Sequence, residues 1–306
     1  MSVEVAFQQM VILFFGILLG FIAVKTKIID QQGNKALSSL VMNVILPFFI
    51  IVSGATSSYT VTGLEVALYF GISLVCYAAA YFLGTLLSWL PIVPRDERRI
   101  YRFMTTFGNT GFIGLPVVGA LFGSDAVLYA TIFNLPFNLL VFSIGIVLVS
   151  SDAKFKAIKP RMIFNNCLIA SILAILISLF GIKFPPIVLD GMSEIGMATV
   201  PIAMIITGVS LGQESFKDVF GRLSLYLVTF VKVGIVPLIT FFILSLVYTD
   251  PLMIRVGTVL MAMPVATNAT LLSIQYGGPD RTASRGVFLS TLFAVVTIPL
   301  LVLLMG

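Results

Sequence analysis

Two stretches of this 306-residue chain combine helix-breaking residues with uncharged hydrogen-bonding side chains. One reads FGNTGFIGLPVVGALFG, with Gly108, Asn109, Thr110, Gly111, Gly114 and Pro116. The other reads MAMPVATNATLLSIQYGG, with Pro264, Thr267, Asn268 and Thr270. Proline removes a backbone donor and blocks the preceding turn, while glycine lets the chain leave helical geometry. Peptide groups freed inside an apolar run need partners, and such a break survives only against protein or a wet cavity. Asn carboxamides and Thr hydroxyls can satisfy the backbone or contact a solute. The chemistry on offer is binding by neutral dipoles. The competing reading is a pair of packing kinks, with small residues at helix contacts.

Lys232 adds a cation. It lies nine residues into the apolar run 223–247, roughly 13 Å deep at about 1.5 Å per residue. An ammonium at that depth is costly and faces a cavity or a partner. It is either the counter-charge for an anionic solute or a buried lysine paired to a carbonyl. Asn43 with Pro47, and Asn134, Pro136 and Asn138, give two other apolar runs polar character. Thr199, Pro201, Thr207 and Ser210 do the same for a third. Asn43 and Asn138 are candidate cavity residues, although asparagine also serves as a hydrogen-bonding link between helices.

Other chemistries find no support. The chain has no histidine, which removes histidine triads, ligands and proton relays. Cys76 and Cys167 sit inside apolar runs, as small packing residues do. GVSLG (208–212) matches the G-x-S-x-G pattern of serine hydrolases, but that motif requires a strand-to-helix turn and a histidine. No phosphate-binding G-x-x-x-x-G-K-[ST] run occurs. No cofactor is expected, any work must come from solute or ion gradients, and no deep carboxylate marks a coupling ion.

The elements that must position these residues are membrane helices. The chain is 59% hydrophobic and 10% charged, with mean hydropathy +1.11, against about one-quarter charged in a soluble domain. Ten apolar runs are predicted as spans: 5–24, 34–55, 64–90, 103–123, 126–150, 164–182, 191–212, 223–247, 253–276 and 286–305. A helix needs about 20 residues to cross the hydrocarbon. The runs are continuous, not alternating, so a β-barrel is disfavoured. The first run lacks a basic flank and a cleavage site and is read as retained.

Fifteen of the eighteen Lys and Arg residues fall in loops on one side, including Arg95, Arg98, Arg99 and Arg102 and the segment Lys154 to Arg161. The positive-inside rule then puts both termini outside. This placement also removes the nucleic-acid reading of the +5 net charge. The basic segment 151–163 divides the chain into five spans (1–150) and five more (164–306). An odd number per half inserts the second half upside down, and the two interrupted spans are the fourth of each half. Inverted repeats with broken helices at mid-membrane are a transporter architecture. The Gly16/Gly20 pair fits small-xxx-small packing of the kind that also joins helices in dimers.

FGNTGFIGLP (107–116), LVMNVILPFF (40–49) and MPVATNATLLSIQYGG (263–278) resemble the auxin efflux carrier family, including its bacterial malate-permease-like members. The likeness runs over the whole chain. It implies an all-α integral membrane fold of ten helices, shared with sodium/proton antiporters and bile acid transporters, in which spans four and nine cross. It implies export or exchange of organic anions at that crossing, a homodimer, and residence in the cell membrane. By position, Asn109 and Pro116 are crossover residues of the first half and Pro264 of the second, with Asn268 beside it. Plant members carry an acidic residue and a lysine inside the third span; here only Glu65 occurs, at its outer end. The expectation is a secondary carrier for small carboxylates such as malate or auxin-like acids. Its substrate-binding candidates are Asn109, Thr110, Asn268, Thr267, Lys232, Asn43 and Asn138, and its helix-break residues are Gly108, Gly111, Pro116 and Pro264. An anion channel and a membrane-embedded sensor remain the alternatives.

Overall fold

The computed structural model describes residues 3–57, 61–150, 164–213 and 221–305; all regular structure among them is helical apart from one isolated bridge. The connecting segment 151–163, with its four basic residues, and Lys217 lie outside the described residues. In chain order the helices begin with α1 (Val3–Lys25), α2 (Gln31–Thr56), α3 (Gly63–Ser88), α4 (Arg98–Thr106), α5 (Thr110–Phe122) and α6 (Ser124–Val149). There follow α7 (Asn166–Phe180), α8 (Pro186–Gln213), α9 (Leu223–Val247), α10 (Pro251–Met261), α11 (Asn268–Tyr276) and α12 (Asp280–Leu304). Six of them, α2, α3, α6, α8, α9 and α12, are long and apolar enough to cross a membrane. Large apolar side chains such as Phe15, Leu68, Phe82, Phe242 and Leu246 point outward, which water would penalise and hydrocarbon would not.

Two sets of helices pack separately. In one, α1 lies along the second half of α8, while α7 and the first half of α8 lie against α2. Glycine makes the α1–α8 contact close: a Cβ on Gly20 would overlap the Ile205 carbonyl, and one on Gly208 the Ile17 carbonyl. Gly16 and Gly20 are therefore covered within the chain, and this pair offers nothing to a dimer. In the other set, α3 packs on α4 and α6, α9 packs on α10 and α12, and α6 packs on α10. Contact between α2 and α6 joins the sets.

Local chemistry explains the ends and irregularities. Thr62 and Glu65 cap α3 reciprocally, with the Thr62 amide donating to the Glu65 carboxylate at 2.7 Å and the Glu65 amide donating to Thr62 Oγ1 at 3.2 Å. Glu65 is thus a helix cap. Of the four five-residue π turns among the described residues, three, Val41–Ile45, Thr110–Gly114 and Val231–Ile235, are each followed two residues later by a proline, Pro47, Pro116 and Pro237, whereas the fourth, Val141–Gly145, is not. A proline cannot donate to the carbonyl four residues back and clashes with it, so a widened turn relieves the clash without ending the helix.

Tyr69 Oη of α3 donates to the Met253 carbonyl of α10 at 2.7 Å. At the opposite end of the bundle, Glu97 accepts from Arg222 Nη1 at 2.8 and 2.9 Å and from Thr282 Oγ1 at 2.8 Å. Tyr101 Oη and Ser224 Oγ lie 2.7 Å apart beside it. The carboxylate raises the Arg222 guanidinium pKa further above its usual value, which leaves the group charged at every physiological pH.

Candidate functional site: two paired helix interruptions

Helix α4 stops at Thr106, Phe107 turns extended, and α5 starts three residues later at Thr110. Helix α10 stops at Met261, residues 262–267 lie outside both helices, and α11 starts at Asn268. The two interruptions meet backbone to backbone. Asn109 N donates to the Pro264 carbonyl at 2.7 Å, and Ala266 N donates to the Phe107 carbonyl at 3.0 Å. These bonds flank an antiparallel pair, Gly108 with Val265. Val265 N in turn donates to Ser290 Oγ of α12 at 3.0 Å. Freed amides in an apolar interior demand such partners, so each break is satisfied largely by the other.

Antiparallel pairs flanked in this way bring backbones closest, and Gly108 sits at that point. A Cβ there would lie 3.0 Å from the Met263 carbonyl oxygen and 3.1 Å from Lys232 Nζ. Pro264 lies inside the second interruption, whereas Gly111 and Pro116 lie beyond the first, in the π turn and the opening of the returning helix α5.

Lys232 is fully buried at 0% exposure. Its ammonium donates to the carbonyl of Met261, the last residue of α10, at 3.3 Å. Among the described residues it forms no ion pair. The cation thus sits where helix carbonyls end, a position favourable to positive charge, and it adjoins Gly108 across the crossing.

Around the start of α5 the polar side chains are dense. The Thr110 hydroxyl donates to Asn134 Oδ1 of α6. Asn138 Nδ2 reaches the Asn134 carbonyl at 3.5 Å, beyond good hydrogen-bonding range. Asn134 is only 4% exposed and Asn109 5%. With Oδ1 occupied, Asn134 retains its Nδ2 donors, which lie 3.9 Å from the Cβ position of Gly111. No hydrogen bond engages the side chains of Asn109, Thr267 or Asn268 among the described residues. Thr267 and Asn268 are partly exposed. The arrangement therefore offers carboxamide N–H groups and two helix starts, the donor set that suits a carboxylate.

The structure brings Gly108, Asn109, Thr110, Pro264, Thr267 and Lys232 to one crossing, with Asn268 opening α11 beside it. It puts Asn43 elsewhere. That side chain is exposed on α2 and accepts from Asn166 Nδ2 of α7 at 3.3 Å, while the Asn43 carbonyl, orphaned by Pro47, accepts the same amide at 3.2 Å. Asn43 links two helices of the other set. Ser290 has no signal in its sequence FLSTLF, since only tertiary packing carries its hydroxyl to the second break. Asn134 was visible as a polar residue in an apolar run, but its tie to Thr110 was not.

Known proteins with similar sequences share one theme. Residues 5–302 match the membrane transport protein family. The chain is 24% identical over 293 residues to an uncharacterized transporter of Methanocaldococcus jannaschii, covering 93% of this chain and 94% of that protein. It is 22% identical over 305 residues to a protein of Rhizobium meliloti named "Putative malonate transporter", covering 94% and 92%. It is 22% identical over 297 residues to the uncharacterized transporter YfdV of Escherichia coli, covering 92% of each.

Proposed function

The chain belongs to the membrane transport protein family, the auxin efflux carrier family that its motifs resemble, and we propose that it is a secondary carrier for small carboxylates working by alternating access at the paired interruptions. Multi-pass membrane insertion follows from the family and from the apolar helices. The observation that carries the substrate reading is the backbone pairing of 107–109 with 264–266, which leaves the Asn109 and Asn268 carboxamides unengaged beside two helix starts. A malonate-type acid matches that donor set, as the name of the Rhizobium relative would have it.

In this reading the chain makes ten crossings, with 1–150 and 164–306 as oppositely inserted repeats joined by 151–163. Support comes from packing that repeats by halves. The pair α3–α4 has its counterpart in α9–α10, and α5–α6 in α11–α12. Likewise α1 on α8 has its counterpart in α7 on α2. The basic loops put both termini outside the cell membrane.

The test is counterflow in liposomes. Purified protein loaded with unlabelled malonate or malate should accelerate uptake of the labelled acid, and empty liposomes should not. A channel would show currents without counterflow, and a sensor would bind without flux. Absence of flux over a broad panel of organic acids would defeat the carrier reading.

A further inference from the structure

The corner where α3 turns into α4 sets arginines beside exposed apolar side chains. Arg95, in the turn before α4, and Arg98 and Arg102 within it stand three and four residues apart, the spacing of one helical face. Ile100, Phe103 and Met104 on the other side of α4 are buried in the bundle. Trp89, Leu90 and Ile92 follow the end of α3 and are 62%, 42% and 39% exposed. Arg102 is drawn to the same corner. Its backbone packs on α3 where Gly84 leaves room, since a Cβ on Gly84 would lie 3.1 Å from Arg102 Cα. From there the side chain runs one turn along α3, and Nε donates to Ser88 Oγ at 3.1 Å, next to Trp89. A long cationic side chain that carries its charge from the apolar interior to the rim is snorkelling. The acids of the turn do not neutralise this face. Glu97 pairs with Arg222 at 2.8 Å, and Asp96 acts on the same guanidinium. Among the described residues Arg95 and Arg98 form no ion pair, Arg98 Nε is buried without a hydrogen-bond partner, and Arg102 is held through Nε alone.

We propose that this corner binds an anionic phospholipid, with Arg95, Arg98 and Arg102 on the headgroup phosphate and Trp89, Leu90 and Ile92 against the glycerol and upper acyl chains. Guanidinium forks match phosphate oxygens in pairs, and basic clusters beside membrane helices hold anionic headgroups. Tryptophan favours the level where headgroups meet hydrocarbon, and Trp89 comes directly after the 26-residue apolar helix α3. The apolar side chains decide for a lipid against a soluble anion, because a soluble anion would leave them facing water beside the charges. The corner is joined to the crossing by α4. That helix has only nine residues, and Arg102 precedes the extended residue Phe107 by five positions, about 7.5 Å along a helix axis. Like charges on one face repel, so a bound phosphate steadies α4 and with it the approach to the first interruption. Such a site needs a membrane around the chain but no particular transported solute.

Trp89 is the one tryptophan of the chain, so its fluorescence reports on this corner alone. The full chain is reconstituted in phosphatidylcholine vesicles in which a fixed fraction of the lipid is brominated high in its acyl chains, either as phosphatidylglycerol or as phosphatidylcholine. Bromine quenches tryptophan on contact. The native protein should take phosphatidylglycerol beside Trp89 in preference to phosphatidylcholine by about fivefold or more, the factor that one cation near an anionic headgroup supplies. Arg98→Gln combined with Arg102→Gln should bring the preference close to one, while Arg98→Lys combined with Arg102→Lys should keep part of it and guard against misfolding. Hydrogen exchange over 98–106 should slow when phosphatidylglycerol is present in the native protein, and not in the glutamine variant. Equal quenching by the two brominated lipids in the native protein overturns the assignment, as does a preference that survives in the glutamine variant. Relief of the phosphatidylglycerol quenching by malonate or inorganic phosphate at constant ionic strength gives the corner to soluble anions and overturns it as well. None of these results bears on flux at the crossing, so the carrier reading stands or falls separately, by counterflow.

Discussion

Replacing Ser290 by alanine removes the acceptor that holds the backbone of the second interruption. In the native chain Val265 N donates to Ser290 Oγ at 3.0 Å, and Ser290 has 0% exposure. Water cannot easily replace the lost oxygen. A buried amide left without a partner costs about 1–3 kcal/mol, a factor of about five to 150 in the equilibrium between closed and locally opened forms. The two cross-break bonds, Asn109 N to Pro264 O and Ala266 N to Phe107 O, are not touched by the change. The loss should therefore appear as local opening, not as global unfolding. Hydrogen exchange of peptides covering 262–267, with the protein in nanodiscs, reads this directly. Ser290→Ala should accelerate exchange there by about five-fold or more, Ser290→Thr should restore protection, and peptides from α1 and α8 should not change. Unaltered exchange at 262–267 in the alanine variant would refute the claim that the breaks depend on completed backbone hydrogen bonding.

Other substitutions test neighbouring parts of the account. Gly108→Ala puts a Cβ 3.0 Å from the Met263 oxygen and 3.1 Å from Lys232 Nζ; counterflow should fall several-fold at normal membrane expression, and full activity would mean that the crossing is looser than described. Asn134→Leu leaves the buried Thr110 hydroxyl without its acceptor and should lower thermal stability by about 1–3 kcal/mol, while Thr110→Val combined with it should recover part of that loss. Glu97→Gln removes the carboxylate shared by Arg222 and Thr282; the partly exposed pair should contribute about 1 kcal/mol or less, seen as a small fall in melting temperature that vanishes at high salt. Gly20→Leu drives a side chain into the Ile205 backbone and should prevent recovery of folded, monodisperse protein.

The helical, membrane-spanning character was legible because continuous apolar runs can satisfy their backbones in lipid only as helices. Both interruptions were legible too, since Gly108 and Pro264 stand among polar residues where an unbroken helix would want neither. The position of the first break was less clear. Pro116 looks like a helix breaker in one dimension, yet a π turn absorbs it inside α5 and the chain opens eight residues earlier, at Gly108. Pro47 and Pro237 behave the same way. Lys232 announced itself by depth alone, but its partner is a backbone carbonyl 29 residues away, and carbonyls carry no sequence signature. Asn43 shows the converse. Its polarity suggested a cavity, and it serves instead to accept an amide from Asn166 beside a proline-orphaned carbonyl.

The most direct test of the central claim is a ligand-bound density map of the protein in nanodiscs with a saturating carboxylate such as malonate. The account predicts density for the anion against the carboxamides of Asn109 and Asn268 and the starts of α5 and α11. Helices running unbroken through 107–109 and 262–267, or an anion bound away from their meeting point, would contradict it.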